Sequence, residues 1–117
     1  MNDAERKLVE ALRSGRYGQA TGQLRRGDAF CCLGVACDLF DPAAWQDEDG
    51  TWLHLDSADA DLPEPVRLWL GWLDSEGETV ASTLSLDHSA ALTELNDAGF
   101  TFSQIADLIE AGLVVKP

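Results

Sequence analysis

Positive charge is scarce in this chain: 8 Lys and Arg stand against 21 Asp and Glu, for a formal net charge of -13. Too few cations are present to neutralise a run of phosphates, which excludes direct binding of DNA, RNA or an anionic membrane as the main activity. Long apolar runs are also missing. The longest, over residues 29–37, falls far short of the ~20 residues that cross a bilayer, and the opening residues MNDAERK have no signal-peptide core. A soluble, cytoplasmic protein is expected. Cysteine is sparse and odd in number, at 3. Cys31, Cys32 and Cys37 lack paired C-x-x-C spacing, and neither His54 nor His88 falls in a ligand pattern, so neither a disulfide framework nor a zinc site is expected. Gly18, Gly22 and Gly27 are not followed by Gly-Lys-Ser or Gly-Lys-Thr and do not open a dinucleotide unit. No metal or cofactor is expected.

What remains is a chain of 117 residues, 45% of them hydrophobic, long enough for one domain, 1–117, with its own core. Asn2 and Glu5 have the spacing of a helix capping box, with Ala4, Leu8, Ala11 and Leu12 as the apolar stripe and Gly15 as the stop. Residues 21–25 and 29–31 flank the turn chemistry of Arg26-Gly27-Asp28, predicting a short hairpin. The apolar stretch from Phe30 to Phe40, with small Gly34 and Ala36, suits a buried helix ending at Asp41-Pro42. An acidic stretch follows, with a brief strand or ordered loop at Trp52 to Leu55. Pro63-x-Pro65 starts a short helix ending near Gly71, and residues 74–83 read as a surface loop. Helical spacing over 84–95 closes at Asn96-Asp97-Ala98-Gly99. Thr101 with Gln104 then forms a second capping box, and Phe100 with Ile105 a hydrophobic staple. The expected fold is α+β: a mostly helical single domain with a small β-hairpin or short sheet and a C-terminal αα-hairpin.

The charge is unevenly laid out. Residues 1–26 hold Arg6, Lys7, Arg13, Arg16, Arg25 and Arg26 against three acids, while the rest holds only Arg67 and Lys116 against eighteen. Either the basic segment docks on the acidic body, or the acidic surface steers a basic partner or imitates nucleic-acid charge.

Several constellations bear on chemistry. The C-terminal helix pair has the outline of a helix-turn-helix, but its second helix offers Ser103, Gln104, Asp107 and Glu110 and no cation to a phosphate-lined groove. A cysteine, His88 as base and Asn96 or Asp97 as orienter would give the chain order of a thiol enzyme. The competing reading is three core thiols, since free cysteines are commonly buried. Asp47-Glu48-Asp49-Gly50 lacks the alternating ligands of a calcium loop and reads as a solvated turn. Trp45, Trp69 and Trp72 are candidate aromatic anchors for a partner, with core packing as the alternative. Arg16, Arg25 and Arg26 are candidates for holding a small anion.

Leu12-Arg13-Ser14-Gly15-Arg16-Tyr17, Gly22-x-Leu24-Arg25, Phe30-Cys31-Cys32-Leu33-Gly34-Val35, Leu62-Pro63 with Trp69-Leu70-Gly71, and Leu95-Asn96-Asp97-x-Gly99 with Phe102-x-x-Ile105-Ala106-Asp107-Leu108-Ile109 occur here in order. Together they resemble a group of small uncharacterised proteins of bacteriophages and actinobacterial genomes. That resemblance carries no catalytic residues. It implies a setting, a phage accessory protein in a bacterial cytoplasm. The leading expectation is therefore a non-enzymatic binding protein whose acidic face engages a basic host protein. The alternatives are an anion-binding or cysteine-dependent protein, or self-association of the basic segment of one copy with the acidic body of another.

Overall fold

Helix α1 (Asp3–Arg13) starts where its capping box places it. The Asn2 side chain accepts from the Glu5 amide at 2.8 Å while Glu5 Oε1 accepts from the Asn2 amide. Its buried stripe is the expected Ala4, Leu8, Ala11 and Leu12, joined by Val9. The structure is a computed structural model that describes residues 1–55, 57, 61–80 and 90–117.

After α1 come three two-residue strands, β1 (Gly18–Gln19), β2 (Arg25–Arg26) and β3 (Ala29–Phe30), in the order β1-β3-β2. The expected hairpin is β2–β3, antiparallel around Gly27-Asp28. β1 adds a parallel edge that local turn signals do not reveal. Phe30 belongs to β3, so the apolar helix α2 (Cys32–Phe40) begins two residues later than its hydrophobicity suggests. Its N-cap is Cys31, whose Sγ accepts from the Gly34 amide at 3.3 Å. A 3-10 turn (Pro42–Ala44) ends it, as Asp41-Pro42 dictates.

The acidic stretch that follows is a two-stranded hairpin, β4 (Trp45–Glu48) against β5 (Thr51–His54), with Asp49 and Gly50 both at positive φ. The β5 strand is the brief strand expected; Asp47 and Glu48, read as part of a solvated turn, are exposed but belong to strand β4, and the turn itself is Asp49-Gly50. An Asp-Gly pair between the strands is a strong two-residue hairpin signal, and the density of carboxylates masks it.

Helix α3 (Glu64–Leu70) then ends at Gly71. Segment 73–80 is less loop-like than expected. Leu73 and Val80 amides donate to Val115 and Leu113 carbonyls, Val115 donates to Glu78, and Thr79 is buried. Residues 81–83 of that loop, like 84–89 of the helix expected over 84–95, lie outside the described residues. Within them, helix α4 (Leu92–Asp97) begins at Leu92, its first amides donating to Gly77 and Glu76 carbonyls. It closes as predicted. Gly99 takes φ 103, its amide donates to Asn96 and that of Phe100 to Leu95, the paired bonds of a Schellman ending. Helix α5 (Phe102–Glu110) carries the predicted Thr101–Gln104 capping box, although Phe100 stays 36% exposed. The fold is thus α+β, with α2 buried among α1, α3 and α4 and with α5 laid along α1.

One close approach sets the packing of α2. A Cβ on Gly34 would lie 1.8 Å from the Leu24 carbonyl oxygen, so only glycine lets the chain before β2 cross this helix. Two polar joints complete the frame. Asn96, fully buried, accepts through Oδ1 from the Cys32 amide and from Gln19 Nε2, and donates to the Ala20 carbonyl. Glu5, 1% exposed, accepts from Trp72 Nε1 at 3.1 Å and Lys116 Nζ at 2.7 Å.

Candidate functional site

The hairpin register decides where the aromatic side chains meet. Trp45 pairs with His54 and Asp47 with Trp52, and cross-strand partners share a face. Trp45, Asp47, Trp52 and His54 therefore project from one side of β4–β5. That side receives Arg25 from β2. Its guanidinium carbon sits 3.7 Å from the Trp52 ring centroid, 5.2 Å from Phe30 and 5.4 Å from Trp45, all within the ~6 Å of a cation–π contact. Tyr17 extends the cluster with an edge-to-face contact to Phe30 at 5.3 Å.

The walls are tied down by α2 and the turn after it. Asp38 accepts from Tyr17 Oη at 2.7 Å and from Trp45 Nε1 at 3.1 Å. Burial, then Asp38, pushes the Tyr17 hydroxyl up to about 12, so it remains a donor across the neutral range. His54 is fully buried against the Trp45 ring at 4.8 Å. Its Nε2 lies 2.9 Å from the Asp41 carbonyl, which only accepts, so Nε2 donates; Nδ1 has no hydrogen-bond partner among the described residues. Arg25 itself makes one hydrogen bond, Nε to the Gly27 carbonyl at 2.7 Å, and no ion pair with a carboxylate among the described residues.

The other candidates fall elsewhere. Trp72 is 0% exposed, its Nε1 held by Glu5 of α1 and its ring lying close to Gly77, so it is a core residue and not a partner anchor. Trp69 is half-buried, edge-on to Phe40 at 5.6 Å, beside Leu68, which is 63% exposed. Trp45 is half-buried in the cluster, and Trp52, a strand residue left out of the three anchors expected from the sequence, faces it at 6.5 Å. Arg16, Arg25 and Arg26 sit in different surroundings. Arg25 turns onto the rings, Arg26 is exposed at the next strand position, where alternation sends it to the opposite face, and Arg16 is exposed in the loop after α1.

Thiol chemistry finds no support in the geometry. Cys31, Cys32 and Cys37 are buried and unpaired. Burial pushes the Cys31 thiol up to about 11 and raises Cys32 and Cys37 as well. Cys31 is spent as a helix cap, and Asn96 is committed to the Cys32 amide and Gln19. His88 lies outside the described residues. Asp97 accepts from the Gly22 amide, holding the loop before β2.

Electrostatically, part of the basic segment does dock on the acidic body. Arg13 bridges α1 to Asp107 and Glu110 of α5. Between the two helices lies a surface groove of about 470 Å³ lined by both signs of charge, Arg6 and Arg13 with Glu10 and Glu110. Carboxylates stay concentrated around Glu76, whose own carboxyl is pushed up by burial and then by Asp61, Asp74, Glu94 and Glu78. No helix among the described residues is long and apolar enough to cross a membrane, and they contain no cluster of metal-ligating side chains.

Nothing among the curated proteins or the solved structures matches the chain. A family model described as a domain of unknown function, DUF8296, matches residues 1–113. The chain belongs to that family.

Proposed function

We propose that this protein is a non-enzymatic binding protein, a phage-type accessory factor of the bacterial cytoplasm, which takes hold of a basic segment of a host protein. One observation carries the reading: half-buried Trp45 and Trp52 and the carboxylate of Asp47 share one face of the β4–β5 hairpin, and a guanidinium is seated on the rings. Aromatic faces and carboxylates together recognise cations. The surrounding charge favours the same class of partner, since a net charge of -13 draws a basic surface in and repels nucleic acid. Three buried thiols with raised pKa values weigh against a cysteine-dependent reaction. Trp69, half-buried beside exposed Leu68, provides a second apolar contact on α3.

The test is retention of host proteins on the immobilised protein at low and high salt, with an Asp47→Asn, Glu48→Gln, Asp49→Asn variant as the comparison. A basic protein held at low salt, released at high salt and lost in the charge variant is the expected result. Equal retention by both forms, or none, would remove the reading. Light scattering at the same two salt concentrations separates it from self-association, which predicts a dimer that dissociates as salt rises.

A further inference from the structure

The proposed partner chemistry becomes specific at Arg25. Its guanidinium occupies an aromatic cage made by Phe30, Trp45 and Trp52, and the cage does not depend on it for its shape. Trp45 is held by the Nε1 bond to Asp38 and by the His54 ring, and Phe30 is packed by Tyr17. Trp52 is held in register by the β4 ladder. Arg25, by contrast, is lightly fastened. It sits on a two-residue strand at the edge of its sheet, with one side-chain hydrogen bond to Gly27 and no carboxylate partner among the described residues. Walls that stand by themselves around a weakly tethered cation describe a filled binding site.

We infer that Arg25 is an internal plug in a guanidinium-binding cage, displaced when an arginine of the basic partner enters between Trp52, Trp45 and Phe30. The cage selects arginine over lysine, because a planar guanidinium stacks on an indole face and an ammonium does not. Asp47, on the same face as Trp52, supplies the carboxylate that Arg25 lacks and meets the incoming group's remaining N–H donors. Binding is therefore self-limited: an isolated arginine must compete with a tethered one, whereas a segment carrying several basic residues gains enough from the acidic rim to win.

This inference rests on the proposed function, and its test separates the two. Ethylguanidinium and a hexa-arginine peptide are titrated into the wild-type chain and into Arg25→Ala, Arg25→Lys and Trp52→Ala, followed by tryptophan fluorescence, with circular dichroism reporting folding. Arg25→Ala should bind ethylguanidinium about tenfold more tightly than wild type, the factor expected when a site is open a tenth of the time. Trp52→Ala should lose that binding. Arg25→Lys, which keeps a cation but loses the stacking plane, should also bind more tightly than wild type, and it decides the matter if Arg25→Ala fails to fold. No gain in the folded Arg25 variants would make Arg25 a strut for the hairpin and overturn the plug. Hexa-arginine binding that is unaffected by any of the variants would overturn the cage while leaving the acidic-face reading intact. Absence of peptide binding to every form at low salt would overturn both.

Discussion

Single residues in this protein act mostly by what they exclude. Gly34 is the clearest case, because the Leu24 carbonyl already occupies the volume of a methyl group and belongs to backbone that cannot rotate away. Gly34→Ala should destabilise the fold by about 3 kcal/mol, the upper part of the range for overpacking, read as a lowered urea midpoint at unchanged slope. The three thiols give a second prediction. Their folded pKa values lie above the ordinary value near 9, Cys31 at about 11. The folded state therefore holds its thiol protons where the unfolded chain releases them, so this stabilisation is complete below about pH 8.5 and is lost as pH rises towards and past 11. Unfolding free energy should fall over that interval, and less steeply in Cys37→Ala. In the native state at neutral pH an alkylating probe should label none of the three, and rapid labelling of one would restore thiol chemistry as a possibility for this site. Glu5 works with the opposite sign. Burial alone would raise its carboxyl, but bonds from Lys116, Trp72 and Asn2 outweigh that and hold it low, so its contribution is present above the unfolded value and lost on acidification.

At the scale of elements, helix ends are where sequence speaks most clearly. Both predicted capping boxes form, at Asn2 with Glu5 and at Thr101 with Gln104, because a cap needs only groups within four residues of one another. Thr101→Ala should cost about 1 kcal/mol in stability, measurable by chemical denaturation, whereas Thr101→Ser should be close to neutral. The hairpin β4–β5 shows where such reading fails. Its turn signal is local, but its strand Trp45–Glu48 carries three consecutive polar residues that are exposed on both faces, so it has no alternation to announce it. Pairing with β5 and the anchoring of Trp45 on Asp38 and the His54 ring make it a strand. The candidate site inherits that limit: Trp45 and Arg25 stand out as residues, but their meeting across Trp52 follows from a register and from β2 lying beside β5.

The whole molecule is governed by its charge. Arg6, Arg13, Arg67 and Lys116 are paired within the fold, yet the excess of carboxylate remains large. Burial of Glu76, followed by repulsion from the carboxylates around it, raises its proton affinity. Screening should therefore stabilise the protein. Raising ionic strength from about 0.01 M to 0.15 M shortens the Debye length from about 30 to 8 Å, and Tm should rise over that interval. A fall in Tm would mean that the Arg13–Asp107–Glu110 bridge and its like outweigh the repulsion. The same field is what a basic partner would relieve on binding, so partner affinity and salt-induced stabilisation should trade off against each other.

By itself, the sequence determined the features that depend on near neighbours: the caps and glycine stops of the helices, the apolar identity of α2, the turn at Gly27-Asp28 and the imbalance of charge. Each is settled by groups a few residues apart or by composition, and needs no knowledge of the rest of the chain. The tertiary structure alone decided which tryptophans became core and which became surface, since Trp72 meets the Glu5 carboxylate and is fully buried, whereas Trp69 lies edge-on to Phe40 with part of its ring left in solvent. It also decided that Glu5 meets Lys116, that Asn96 seals the start of α2, and that Arg25 ends its reach on Trp52. Those outcomes join residues tens of positions apart, and only the docking of one element on another brings such groups within bonding distance.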